Sequence, residues 1–222
     1  MKQDKKEKKA IKNKIILRLG EILQDSDGIL SLVKLNLLFI ATSVVFLPPV
    51  FIFTFGPAAA ALSYCTAKMV KTGYQPDVVK TYMRTYKRCM KKAVVPGLIM
   101  VTASGIFSAG LYIYITMASE NIMFIPMASV SLLVLVMLWC TGVHLFPAVA
   151  EADNNGSVKE LMTAAFRKAV EKLPGTVITV IISAVFLSAM VLLLPATLPL
   201  LLTIAFSVPA LAMAFAHTTP EW

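Results

Sequence analysis

Charge is what the long apolar runs of this sequence lack. Across residues 35–67, 93–119 and 174–216 there is no acid, no base and no histidine. Ion-coupled transport needs such groups inside the membrane to carry protons or hold cations, so a self-sufficient secondary transporter is disfavoured. Cysteine is scarce: Cys65, Cys89 and Cys140 are an odd set without C-x-x-C spacing, which argues against a disulfide framework and a thiolate metal site. No phosphate-cradling G-x-x-x-x-G-K-[ST] loop is present, so the chain does not power ATP-driven transport alone. No H-E-x-x-H pair is present either. The basic stretches carry no aromatic platform or reader motif for nucleic acid. A cleavable signal peptide is not expected, because hydrophilic and amphipathic sequence precedes the first long apolar run.

What is there is hydrocarbon. Of the 222 residues 58% are apolar, and the formal charge is +9. The apolar residues come in runs long enough for helices of about 20 residues to cross a bilayer, while lysine and arginine are confined to the flanks. The reading is an all-α integral membrane protein.

The organising stretch is 75–97. Val78, Val79, Tyr82, Met83, Tyr86, Cys89 and Met90 recur at helical spacing on one face. Lys80, Arg84, Lys87, Arg88, Lys91 and Lys92 occupy the other without an interleaved acid. Such a helix, feeding straight into an apolar run, is expected to lie on the anionic inner leaflet before the chain plunges in.

In order, residues 1–28 form a lysine-rich arm and a first interfacial helix, closed by the turn signal Asp25, Ser26, Asp27, Gly28. Residues 29–216 form one transmembrane domain, with spans at about 29–47, 50–67, 93–117, 122–150, 174–194 and 200–216. Pro48-Pro49 is read as the first outer turn, one long kinked helix being the alternative. Ser157 followed by Glu160 is a capping box opening another basic amphipathic helix, with Arg167, Lys168 and Lys172 on its polar face. Residues 217–222 are a cytoplasmic tail. Six crossings, as three hairpins each preceded by a cytoplasmic amphipathic helix, put every lysine and arginine inside and leave Glu120 as the one outer acid.

Within the spans, Gly56-Pro57 and Pro147 are read as helix breaks and Pro174 as a span start. Asn36 is expected to hydrogen-bond across helices to the broken backbone around Gly56. The small residues from Ser104 to Gly110 suit close helix approach. His144 is the one titratable group within a span, with no second histidine near it in sequence, and is expected to bond a neighbouring helix; His217 falls in the tail. No catalytic, cofactor-binding or metal-ligating residue is assigned, and enzyme activity is not expected.

The run Leu35-Asn36-Leu37-Leu38-Phe39, then Gly56-Pro57-Ala58 with its following alanines, a basic amphipathic helix, and Phe146-Pro147-Ala148 followed by Asp153, resembles the YesL-like family, catalogued as domain of unknown function 624. The resemblance implies a small bacterial multi-pass membrane protein, often encoded among genes for carbohydrate uptake and breakdown, whose molecular activity is not established. Where the family tends to carry arginine, this chain has Glu151. The segment with Glu151, Asp153 and Gly156 also resembles the coupling loop of ABC sugar permeases, with a longer gap and Asp153 in place of an alanine.

The function expected is non-enzymatic, in a bacterial cytoplasmic membrane with both termini inside. The chain would assist carbohydrate transport, or its regulation, by binding a transporter component or a second copy through its cytoplasmic helices. A permease-like subunit, which needs a polar cavity, and an envelope protein binding anionic lipids of the inner leaflet are the alternatives.

Overall fold

The computed structural model describes residues 2–43, 48–73, 77–152, 157–193 and 196–218, and most of these are helical. The helices are α1 (Lys2–Gln24), α2 (Ser26–Ser43), α3 (Pro48–Thr72), α4 (Val78–Ala118), α5 (Ile125–Glu151), α6 (Val158–Glu171), α7 (Leu173–Leu192), α8 (Leu198–Thr203) and α9 (Ser207–Thr218). Four are long and apolar enough to cross a membrane: α2, α4, α5 with the short turn before it, and α7. Their lipid belt is plain along the far halves of α4 and α5, where Ile106, Tyr112, Ile122 and Leu133 stand exposed. Apolar side chains left open over that length fit hydrocarbon and not water.

At the centre is α3, packed against α4, α5, α9 and α2. Its alanine run is what allows this, since Ala58, Ala60 and Ala61 are wholly buried and leave room for neighbouring backbones. The expectation that this segment is enclosed by the bundle holds. Gly56-Pro57 does not break it, however, and α4 and α5 likewise run on through Pro96 and Pro147. Gly56 has another use. A Cβ on it would lie 2.1 Å from the Ala93 carbonyl oxygen, and one on Gly97 would lie 2.5 Å from the Gly56 Cα. The two glycines let α3 and α4 cross backbone to backbone. Of the small residues from Ser104 to Gly110, expected to serve that purpose, Gly105 does not, with nothing within 4 Å of a Cβ on it, whereas a Cβ on Gly110 would lie 3.9 Å from the Ser131 hydroxyl on α5.

The basic stretch departs most from expectation. It is the near half of a helix of 41 residues, about 60 Å long at ~1.5 Å per residue, twice the ~30 Å hydrocarbon core. Val78, Tyr82, Thr85, Cys89 and Ala93 are buried along it, while Val79 and Met90 stay exposed. Much of the face expected to lie on lipid therefore packs against the bundle, and the stretch runs on into the apolar half as one helix. The first hairpin also differs. The Thr42 hydroxyl lies 2.7 Å from the Tyr82 hydroxyl, joining two residues that the six-crossing reading sets on opposite sides. The turn expected over 25–28 is a bend at Asp25, with Ser26 already in α2.

The stretch read as the last span is not one helix: α8 and α9 are separated at 204–206. Pro48 and Pro49, read as the first outer turn, open α3, and residues 44–47 lie outside the described residues. The Ser157–Glu160 capping box is present, with the Glu160 carboxylate accepting from the Ser157 N–H at 3.3 Å.

Candidate functional site

A helix interrupted in an apolar environment leaves carbonyls and N–H groups without partners. Here one side chain serves them. Asn36, wholly buried on α2, donates from Nδ2 to the carbonyls of Leu201 and Leu202 at 3.1 and 2.7 Å. Its Oδ1 accepts from the N–H groups of Phe206 and Ser207 at 2.7 and 3.2 Å. The primary amide fits because it alone carries a two-proton donor and a two-lone-pair acceptor on one short stem. Sequence reasoning had the role right and the break wrong: Asn36 serves the α8–α9 break, not Gly56.

Beside this break lies a partly open cavity of about 320 Å³, at the low end of the ~300–1,000 Å³ usual for small-molecule pockets. It is bounded by α2, α3, α4, α5, α7 and α9, and aromatic rings dominate it: Phe39, Phe51, Phe55, Trp139, Phe146 and Phe206. The rings of Phe39 and Phe206 stand 5.1 Å apart, and those of Phe55 and Phe146 meet edge-on at 5.9 Å. The hydroxyls in the lining are those of Ser63 and Ser104. A sugar buried here would lose its hydration with almost nothing to replace it, at a cost of about 1–3 kcal/mol for each unpaired polar group. This cavity is thus not the polar one required of a sugar permease. Pro147, expected as a break, lines this cavity instead.

The basic residues divide. Arg88 donates to the Ala150 carbonyl at 2.5 Å, with its guanidinium 5.7 Å from the Tyr64 ring, and Lys92 donates to the Ala152 carbonyl at 3.3 Å. Both close the C-terminal end of α5, where free carbonyls favour cations. Lys80 pairs with Asp77 at 3.6 Å. Arg84, Lys87, Lys91 and Arg167 are exposed. Glu151 pairs with Lys71 at 3.0 Å, both about half exposed, so the pair adds at most about 1 kcal/mol. Asp153 and Gly156 lie outside the described residues. Pro174 opens α7 in its first turn, as expected.

The histidines are a correction. Far from being alone, buried His144 on α5 faces His217 at the end of α9, with the two Nδ1 atoms 3.1 Å apart. His144 Nε2 lies 3.1 Å from the Thr176 hydroxyl on α7, and His217 Nε2 lies 3.5 Å from Lys168 Nζ on α6. Burial pushes the Lys168 ammonium below its ordinary value, with Glu151 acting the other way. The two residues are 73 apart in sequence, and no spacing pattern links them. Among the described residues no cluster of three or more His, Cys, Asp or Glu forms a metal site.

No curated protein and no solved structure matches the chain. One family model does match, over residues 32–111, a region that holds Asn36, the Gly56–Gly97 crossing and most of α4. That region, less than half of the chain, is similar to the family described as "Protein of unknown function, DUF624", the one its Asn36 and Gly56-Pro57-Ala58 elements resemble.

Proposed function

We propose that this chain is a non-catalytic protein of a bacterial cytoplasmic membrane that binds a lipid acyl chain in the cavity between α3, α5 and α9. The observation that carries the reading is the lining: six aromatic rings and two hydroxyls, on helices of which several are apolar enough to sit in hydrocarbon. An apolar guest is already dissolved in the surrounding bilayer, so it enters without shedding water. The basic ends, with Arg84, Lys87 and Lys91 exposed, favour an anionic headgroup at the inner leaflet by about 1 kcal/mol each. The same charges support an orientation with both termini in the cytoplasm. For the C-terminus this is reinforced by its packing beside Lys168 and Lys172.

Native mass spectrometry of protein released from mild detergent tests the reading. Wild type is expected to retain phospholipid, and Ala210→Phe, which fills the cavity, to retain about tenfold less, the loss of roughly 1.4 kcal/mol of binding. Equal retention by the two proteins, or none by either, defeats the proposal.

A second reading, docking of a carbohydrate-transporter component, is favoured by α6. That helix buries Ala165 and Ala169 but leaves Phe166 and Val170 about half exposed beside Arg167. A photo-crosslinker placed at position 166 in cells is expected to capture a transporter subunit. Adducts to lipid alone count against docking.

A further inference from the structure

Counting protons around the two histidines fixes the direction of every bond in their cluster. The Thr176 hydroxyl donates to the Lys172 carbonyl at 2.9 Å, so toward His144 it accepts. His144 therefore carries its proton on Nε2 and presents a bare Nδ1. His217 must then donate from its own Nδ1, which leaves its Nε2 to accept from the Lys168 ammonium. The last link is drawn from Lys172, whose Nζ donates to the His217 carbonyl at 3.3 Å. The circuit begins at Lys168 and returns to the carbonyl of Lys172, one helical turn along. It therefore leads nowhere across the membrane. What it does is tie α5, α6, α7 and α9 together at one end of the bundle.

We propose that the His144–His217 pair is a proton-released latch on α9: two neutral imidazoles hold the helix down, and a proton taken up by either frees it. The geometry has no acceptor for an added proton. On His217 it would sit at Nε2, donor against the Lys168 ammonium; on His144 it would sit at Nδ1, donor against the Nδ1–H of His217. The charges nearby add to this. From α6 come Lys168 and Lys172, with Glu171 beyond; from α3, Lys71; from α5, Glu151, already paired with Lys71. From α7 comes only the Thr176 hydroxyl. Among the described residues cations prevail around the pair, so an imidazolium finds repulsion there and no counter-ion beside it.

The consequence runs to the cavity. Ala210, Met213 and Ala214 of α9 form one of its walls. That helix is held at one end by Asn36 and at the other by the histidines. Releasing the second attachment while the first persists lets α9 swing from the break at 204–206. The latch does not depend on what the cavity binds.

Hydrogen exchange of the purified full chain, read by mass spectrometry over 207–218 between about pH 8 and pH 5, where imidazoles ordinarily titrate, tests it. Rates are compared after correction for intrinsic exchange. Opening of α9 is expected to rise about tenfold for each pH unit through the transition, as one excluded proton requires. The double variant, His144→Gln with His217→Gln, is expected to abolish that dependence, glutamine being neutral throughout. An α9 whose protection is indifferent to pH in wild type, or equally sensitive in the double variant, overturns the latch. Should the double variant fail to fold, imidazole nitrogen NMR of wild type decides alone. At about pH 7 it is expected to show both rings neutral, with His217 protonated at Nδ1 and His144 at Nε2. An imidazolium at either position overturns the proposal.

Discussion

Asn36→Leu is expected to destabilise the protein by about 3–5 kcal/mol, read as a lowered unfolding midpoint in detergent or as failure to accumulate in the membrane. Leucine fills nearly the same volume, so the loss measures hydrogen bonding and not packing. The change orphans two carbonyls and two N–H groups at the α8–α9 break. Each buried, unpaired backbone group costs about 1–3 kcal/mol, and neighbouring losses overlap. Asn36→Asp separates the two halves of the bond set. Its oxygens still accept from Phe206 and Ser207 but have nothing to donate to Leu201 and Leu202, so no rescue is expected. If leucine at this position left the midpoint unmoved, the break would be stabilised by something other than Asn36.

The second large effect is at the crossing of α3 and α4. Gly56→Ala places a methyl 2.1 Å from the Ala93 carbonyl oxygen, and Gly97→Ala places one 2.5 Å from the Gly56 Cα. In both cases the obstacle is backbone, which cannot turn aside as a side chain can. The helices must part, and the packing of the alanine run below Gly56 parts with them. Ordinary overpacking costs about 1–3 kcal/mol; a backbone clash at the central contact is expected to reach about 3 kcal/mol or more for either variant. Gly105→Ala is the control on the same helix, with nothing within 4 Å of the added carbon. It is expected to be neutral or to stabilise by up to about 1 kcal/mol, the helix preference of alanine over glycine. Thermal unfolding of the three variants side by side checks this: a Gly97→Ala protein as stable as Gly105→Ala would mean that the helices do not touch there.

Much of the helical framework was legible from residue order, because it depends on local pattern. The apolar runs of α4, α5 and α7 and the Ser157–Glu160 capping box needed only spacing and composition to be read. Proline misled in the other direction. Pro57 and Pro147, read as breaks, each sit inside a continuous helix, since in a buried helix the neighbours supply the constraint that a lost hydrogen bond removes. The stripe at 78–90 misled for a related reason. Periodicity reports that a face is apolar but not whether lipid or protein covers it, and here α3 does.

The candidate site was legible only in fragments. Asn36 and His144 stood out as polar residues in apolar surroundings, and each was expected to bond a neighbouring helix. Their partners lie far along the chain, 165 residues or more from Asn36 and 73 from His144. Pro209 is the local mark of the break at 204–206, but nothing local marks His217 as a buried group.

Composition and order alone determined that this chain is helical, that it belongs in a bilayer, and which of its stretches carry the basic charge. Those properties follow from transfer of apolar surface and from the sign of side chains, which need no partner. Only the tertiary structure decided that α3 and α4 meet at two glycines, that one asparagine closes a broken helix, that two distant histidines share a bond, and that the space left between the helices is apolar. Each of these depends on which surfaces face one another, and contact at that range is set by the packing of whole helices, not by any segment's own preference.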